Sequence, residues 1–312
     1  MQRGRRHFLT SAAALAVAAG AAAVPARAAR VRKASPVSLE FTPLTARVAL
    51  LSGAGANIVV AQSDAGLILV DGGLDESRVA VRSLLTQRFG NAPLAWLFNT
   101  HWHREQTGLN EIVGREGGVI CAHENTRLWL ATEFYVDWQD RTYAPLPAAA
   151  LPSRRFYDRE VTTVGDRELR YGRLPNAHTD GDLYVYFPDD DVLAVGGSVT
   201  PGAYPLMDYS TGGWLGGVVE ASKALLKLAG SKTRIVAASG SVLGRDALEQ
   251  QLELATVLRD RVVEQIKLGK SVQDMLDAGI TREFDGRYGD PQFFLRSAYR
   301  GLWGHIRELG VA

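Results

Sequence analysis

Short apolar runs alternate with longer amphipathic stretches along most of the chain. The runs are rich in Val, Ile, Leu and Phe and are bounded by Gly or Asp, a pattern typical of buried strands. They predict strands at Arg47–Ser52, Asn57–Gln62, Gly66–Asp71, Trp96–Thr100, Val161–Val164, Glu168–Leu174, Leu183–Phe187, Val192–Val195 and Arg234–Ala238.

The stretches between these runs have apolar residues at helical spacing. They predict helices at Ser77–Phe89, Trp214–Leu228, Asp246–Leu268 and Phe293–Leu309. Two β-rich halves with helices outside them indicate an α/β fold, a four-layer αββα sandwich whose loops at one rim carry the site. A sequence repeat with a period of about 20 to 50 residues is absent, which excludes a solenoid.

The first 28 residues have the pattern of an export signal. The twin-arginine pair Arg5-Arg6 precedes an Ala-rich apolar stretch, Ser11–Val24, and the small residues of Ala26-Arg27-Ala28. This stretch is well short of the roughly 20 apolar residues that a membrane-spanning helix needs. We therefore expect cleavage after twin-arginine export, a periplasmic or secreted protein, and a single domain at residues 29–312.

Composition and charge narrow the possible partners. The chain is 46% hydrophobic and 22% charged, as globular domains are. Its formal net charge is +1, and removing the first 28 residues, with their four arginines and no acid, leaves −3. This balance favours a small-molecule partner over nucleic acid or an acidic membrane surface. The single cysteine, Cys121, excludes an internal disulfide, and its apolar surroundings favour a buried structural thiol.

The candidate chemistry lies in three histidines. His101 and His103 follow a predicted buried strand, where a sharp turn directs both imidazoles into the same space. His178 lies in a turn between two later strands and offers a third ligand. Three neutral imidazoles suit Zn²⁺ and leave a fourth position for water, as catalytic zinc sites do. We interpret His123 and His305 as ordinary hydrogen-bonded residues.

These motifs resemble those of metallo-β-lactamase-fold hydrolases, whose signature is His-x-His-x-Asp-His. The resemblance rests on the segments Asn99–His103 with Thr107-Gly108, Gly66–Gly73, His178–Asp182 and Val192–Gly196. It implies the αββα fold and a metal bound by the three histidines. It also implies that Asp71 orients metal ligands by hydrogen bonds, although Asp71 equally suits a turn at the end of a strand.

Four positions depart from the family pattern. In the family, a second metal ion is held by the Asp and final His of the signature, by a bridging carboxylate and by a late His. In this chain those positions are Glu105, Gln106, Gly197 and Ser239. Among these four residues there are one good metal ligand and two poor ones, and the glycine has no side chain. We therefore expect a single Zn²⁺ ion.

Glu105 is the candidate catalytic residue. Its carboxylate would accept a proton from a zinc-bound water and pass it to the leaving group. The alternative is an ion pair with Arg104 or another basic group. Gln106 and Ser239 are expected beside the metal or on the substrate side, where the amide oxygen of Gln106 would meet water or substrate.

Two functions are compatible with these residues. The first is a mononuclear zinc hydrolase acting on an ester, thioester or amide-type bond. The second is a degenerate, non-catalytic member that keeps the fold as a metal-binding or interaction protein. The long Gly- and Pro-containing loop Val199–Gly213 is predicted to be a lid over the site.

Overall fold

The computed structural model describes residues 38–305, so the predicted export signal and the last predicted helical turn lie outside the described residues. The strands are β1 (Glu40–Pro43), β2 (Val48–Ser52), β3 (Ile58–Ser63), β4 (Gly66–Val70), β5 (Leu94–Phe98), β6 (Val119–His123), β7 (Phe134–Val136), β8 (Arg141–Tyr143), β9 (Arg154–Phe156), β10 (Arg159–Val164), β11 (Arg167–Arg173), β12 (Leu183–Phe187), β13 (Val192–Gly196) and β14 (Arg234–Ala237). The helices are α1 (Arg78–Phe89), α2 (Arg104–Thr107), α3 (Asn110–Arg115), α4 (Glu124–Ala131), α5 (Leu215–Leu228), α6 (Arg245–Lys267), α7 (Val272–Ala278), α8 (Arg282–Tyr288) and α9 (Gln292–Trp303).

Two sheets contain nearly all of these strands. The first sheet has the order β1-β2-β3-β4-β5-β6-β9, antiparallel from β1 to β4 and parallel from β4 to β9. The second has the order β10-β11-β12-β13-β14, with only the β13–β14 pair parallel. Strands β7 and β8 form a separate hairpin, here called the β7–β8 hairpin (Phe134–Tyr143).

The apolar core is divided into layers by the two sheets. Side chains of both sheets meet in one buried cluster, with Phe98 from β5 against Tyr171 from β11 at 5.0 Å between ring centroids. A second cluster packs α1 and α3 on the outer face of the first sheet. A third packs α5, α6, α7 and α9 on the outer face of the second. This arrangement of helix, sheet, sheet and helix confirms the predicted αββα sandwich.

The largest difference from the sequence prediction lies between residues 101 and 157. Short elements fill this segment, which the apolar pattern left unassigned, because helices of four to eight residues and strands of three to five residues give too few periodic positions. The predicted strand Trp96–Thr100 begins at Leu94 and ends at Phe98. It ends early because the backbone N–H of Thr100 donates to the carboxylate of Asp71 rather than to a neighbouring strand.

Every helix within residues 38–305 is too short or too polar to cross a membrane.

Candidate metal centre

The three predicted histidines come together at one rim of the sandwich. His101 and His103 follow β5, and α2 begins at the next residue. His178 lies in the loop between β11 and β12. The three ring centroids are 4.6 to 4.8 Å apart with nearly perpendicular ring planes, and all three side chains are buried. One nitrogen of each ring lies within 4.8 Å of the others, which forms a potential metal site.

Hydrogen bonds at the outer nitrogens fix the tautomers of two rings. His178 Nδ1 lies 2.7 Å from the backbone oxygen of Leu206, and a carbonyl only accepts, so Nδ1 carries the proton. His103 Nε2 lies 3.1 Å from Oδ2 of Asp208, so Nε2 donates to the carboxylate. The inner nitrogens, His178 Nε2 and His103 Nδ1, therefore carry lone pairs, and they face each other at 3.0 Å.

His101 is oriented through a relay. Oγ1 of Thr100 donates to Asp71 at 2.8 Å, so its oxygen accepts from His101 Nδ1 at 3.0 Å. The backbone N–H of Thr100 donates to the other oxygen of Asp71, at 2.8 Å. Burial raises the pKa of Asp71 to about 8, against the opposing effect of these hydrogen bonds. The relay leaves His101 Nε2 as the third inward-facing lone pair.

Converging lone pairs repel one another unless a cation lies among them. Burial, followed by the charges of the neighbouring histidines, lowers the pKa of His101 well below its usual value. Burial and His103 lower the pKa of His178 to about 4. Protons on His101 and His178 therefore do not supply the cation at neutral pH. Two ligand nitrogens of a tetrahedral zinc are about 3.3 Å apart. His178 Nε2 and His103 Nδ1 are 3.0 Å apart, close to that value, so these residues fit a metal ion.

Asp208 is a site residue that the sequence did not single out as a ligand-orienting group. It is fully buried and accepts hydrogen bonds from His103, Trp138, Thr211 and the backbone of Ser210. Burial alone would raise the pKa of Asp208, but these donors, with His103 first, hold it below its usual value. Asp208 is thus an ionised carboxylate behind a ligand histidine, the arrangement that orients such ligands in metal sites.

The loop Val199–Gly213 forms a wall of the site. It carries Leu206 and Asp208, whose oxygens accept hydrogen bonds from two of the three histidine rings. The backbone N–H of Asp208 donates to the carbonyl of His178 at 2.8 Å, and Met207, the residue before Asp208, is fully buried. The loop therefore belongs to the framework of the three histidines, and its opening as a lid stays a prediction.

The turn that carries His178 is held by Asp182. Its carboxylate accepts from the backbone N–H groups of His178 and Thr179 and from the Thr179 hydroxyl, at 2.7 to 3.0 Å. Burial raises the pKa of Asp182 to about 6 in spite of these bonds. The His-Thr-Asp-Gly-Asp segment thus places a ligand by local side-chain to backbone bonds.

Glu105 lies on α2 at the mouth of the site. Its side chain is exposed, lines the same cavity as the three histidines and forms no ion pair within the part of the chain that the structure describes. Arg104 turns away, donating to the carbonyl of Ala144 and lying over the ring of Tyr143. Within residues 38–305, Glu105 forms no ion pair with Arg104, so its part in catalysis stays a prediction.

Gln106 and Ser239 also line this cavity, which has a volume of about 300 Å³. Gln106 is 3% exposed, and its Oε1 is buried without a hydrogen-bond partner among the described residues. A buried carbonyl without a donor costs about 1 to 3 kcal/mol. This orphaned acceptor is consistent with a site built for a bound group. Ser239 is exposed.

Gly197 packs closely against His178. A Cβ atom at this position would lie 2.3 Å from Cδ2 of His178, closer than real Cβ contacts. The ring of His178 thus occupies the space that a side chain at residue 197 needs. Gly197 is therefore part of the packing around the three histidines.

The two remaining described histidines lie outside this cluster. Nδ1 of His123 accepts from the backbone N–H of Asn125 and caps α4. His305 stacks on Trp214, with 3.9 Å between ring centroids.

The comparisons with known proteins agree with this geometry. The profile of the metallo-beta-lactamase superfamily matches residues 52–240, which contain all three histidines. The chain belongs to this superfamily, as its motifs predicted. Among curated proteins, no sequence matches the chain.

Solved structures share the fold at low sequence identity. A metallo-beta-lactamase from Pontibacter korlensis has a TM-score of 0.57 and 20% identity, over 70% of this chain and 99% of that chain. The DIM-1 metallo-beta-lactamase has a TM-score of 0.56 and 15% identity, over 70% and 97%. The sec-alkylsulfatase Pisa1 from Pseudomonas sp. has a TM-score of 0.65 and 16% identity, over 84% of this chain but half of that longer chain. At these identities the likeness shows the fold alone.

Proposed function

We propose that the protein is a mononuclear zinc hydrolase that cleaves an ester, thioester or amide-type bond of a small molecule. The observation that carries the proposal is the convergence of three imidazole nitrogens, each on a ring whose outer nitrogen is hydrogen-bonded, beside the Glu105 carboxylate, which forms no ion pair within residues 38–305. Because one structural neighbour is named as a lactamase and another as an alkylsulfatase, the fold alone does not choose the bond.

His101, His103 and His178 would hold the ion. A zinc ion bound by three imidazoles acidifies water to a pKa of about 7 and polarises a substrate carbonyl. The chain supports this chemistry by keeping His101 and His178 neutral through burial and by fixing the orientation of all three rings through Thr100, Asp208 and Leu206.

Glu105 moves the proton. Its carboxylate lines the cavity and has no basic partner in residues 38–305, so it is available to accept a proton from the attacking water and deliver it to the leaving group. Gln106 turns an amide into the same cavity and would hydrogen-bond water or substrate there. Ser239 is exposed, lines the same cavity and would contact the substrate.

One metal ion is favoured over two. The only carboxylate among the four altered positions is Glu105, and Gly197 has no room for a side chain beside His178. Three protein ligands suffice for one catalytic zinc ion. The residues at the four altered positions supply fewer than three good metal ligands.

The test is activity that depends on metal, measured together with two variants. Turnover of a thioester or ester panel should disappear with a chelator and return with zinc. His103→Ala should lose both metal and turnover, whereas Glu105→Gln should keep the metal and lose about 10² to 10⁴-fold in rate. A zinc-loaded protein that turns over no member of the panel would instead support a non-catalytic metal-binding protein.

We also propose export by the twin-arginine pathway and cleavage near residue 28, which the sequence alone supports. The test is fractionation of cells that express the wild type and a variant with Arg5→Lys and Arg6→Lys. The variant should remain in the cytoplasm at full length. Equal export of both proteins would contradict the proposal.

A further inference from the structure

The β7–β8 hairpin packs against Trp102, the residue between His101 and His103. Trp102 is 1% exposed, and its ring contacts Phe134 and Tyr143 of the hairpin at 4.8 and 4.9 Å between centroids. Its Nε1 donates to Thr211 at 3.1 Å. The signature segment therefore fixes the position of the hairpin as well as the metal ligands.

The hairpin places an aromatic side chain in the wall of the cavity. Trp138 lines the cavity, remains partly exposed, and lies 6.4 Å from the ring of His103 between centroids. Two contacts hold the indole of Trp138: Nε1 donates to Asp208 at 2.9 Å, and the ring packs on Phe293 at 5.2 Å between centroids. The next residue, Gln139, is held by a hydrogen bond from the hydroxyl of Tyr143. Because the indole is already held in place, little side-chain conformational entropy is lost when a ligand covers it.

Three apolar residues, Ala56, Val199 and Leu206, line the same cavity as this indole. Polar groups in the lining, such as Glu105 and Gln106, are assigned above to chemistry at the scissile bond. The indole and the apolar lining residues are thus the part of the cavity that is suited to a nonreacting portion of the substrate.

We propose that Trp138 is a specificity residue that binds an aromatic ring carried by the substrate next to the scissile bond. Aromatic pairs contribute about 0.5 to 1.5 kcal/mol beyond the area that they bury, which corresponds to roughly two- to twelvefold in affinity. The proposal deepens the proposed hydrolase function and rests on it for turnover, but ring binding is measurable without turnover.

The binding experiment uses the zinc-loaded full chain with phenylacetate and acetate as probes. Calorimetry should show phenylacetate binding about tenfold more tightly than acetate. Trp138→Ala should remove the difference, and Trp138→Phe should retain most of it because the ring remains. Tyr135→Ala is the matched control, since Tyr135 lies on the same hairpin, is 56% exposed and does not line the cavity. Equal binding of the two acids to the wild type would overturn the proposal.

The kinetic experiment compares three thioesters: S-ethyl thioacetate, its phenylacetyl counterpart and S-benzyl thioacetate. At least one ring-bearing thioester should show kcat/KM about tenfold above S-ethyl thioacetate, and Trp138→Ala should reduce that value alone. An equal loss on all three substrates would show that Trp138 acts through Asp208 and would overturn the proposal. If no member of the ester and thioester panel is cleaved while phenylacetate binding depends on Trp138, the hydrolase proposal fails and the ring site stands.

Discussion

Each ligand histidine presents one nitrogen inward and binds a fixed partner with the other. The partners differ in chemistry: the Thr100 hydroxyl for His101, the ionised Asp208 carboxylate for His103 and a backbone carbonyl for His178. Of the three, only the carboxylate carries a full charge, so its interaction with a metal-bound imidazole is the strongest.

Asp208→Asn should therefore weaken zinc binding by about 10- to 100-fold. The amide keeps the volume of the side chain but removes the charge that favours a proton on His103 Nε2. Competition with a chromophoric chelator measures the affinity. Asp137→Asn is the control, because Asp137 is an exposed acid that accepts from Ser210 and does not contact a ligand histidine. Equal zinc affinities of wild type and Asp208→Asn would contradict this role.

The sequence identified the ligand histidines but not Asp208 as their partner. His101 and His103 directly follow a predicted strand, and His178 lies in a second short motif. Each motif can be recognised from a few consecutive residues. Asp208 is separated from His103 by 105 positions and lies in a loop without periodicity. Only the three-dimensional packing of that loop brings the two side chains together.

At the scale of elements, the segment after β13 packs closely against His178. Gly197 follows β13 directly, and the ring of His178 fills the position where a side chain at residue 197 would begin. The loop that continues from it supplies the oxygens that hold His103 and His178.

Gly197→Asp should therefore fail to create a two-metal site. The new Cβ displaces His178, so metal content should fall below that of the wild type and the midpoint of thermal unfolding should drop. Metal analysis and calorimetry measure both quantities. Gly286→Ala is the control, since a Cβ there meets nothing within 4 Å. Two equivalents of zinc in Gly197→Asp would refute this account of the loop.

The cap of α4 predicts a pH dependence of stability. His123 accepts the backbone N–H of Asn125, so its imidazole must be neutral, and burial followed by the charge of Arg173 lowers its pKa to about 4. Its pKa in the unfolded chain is about 6.5. The unfolded state then binds more protons between these values, so the free energy of unfolding falls as the pH drops from about 6.5 to about 4.

His123→Asn keeps an acceptor for the cap but does not titrate. Denaturant unfolding of chelator-treated protein at several pH values should therefore show a shallower loss of stability in this variant over that window. His101 and His178 remain in both proteins and contribute equally to both curves. Identical pH dependence in the two proteins would mean that His123 has no such effect.

At the scale of the whole molecule, the sequence predicted the layers better than the site wall. Longer strands such as β11, and long helices such as α5 and α6, matched within a residue or two because they repeat their apolar pattern over more positions. The β7–β8 hairpin did not, because its aromatic residues pack on Trp102 rather than in a regular sheet. The part of the fold that shapes the cavity is thus the part with least periodicity.

The central claim is that this superfamily member carries one metal ion rather than two or none. Metal content per chain, measured on protein purified after zinc-replete growth, tests it most directly. The account predicts one equivalent of zinc in the wild type and none in His103→Ala. Less than a tenth of an equivalent in the wild type, or two equivalents, would contradict it.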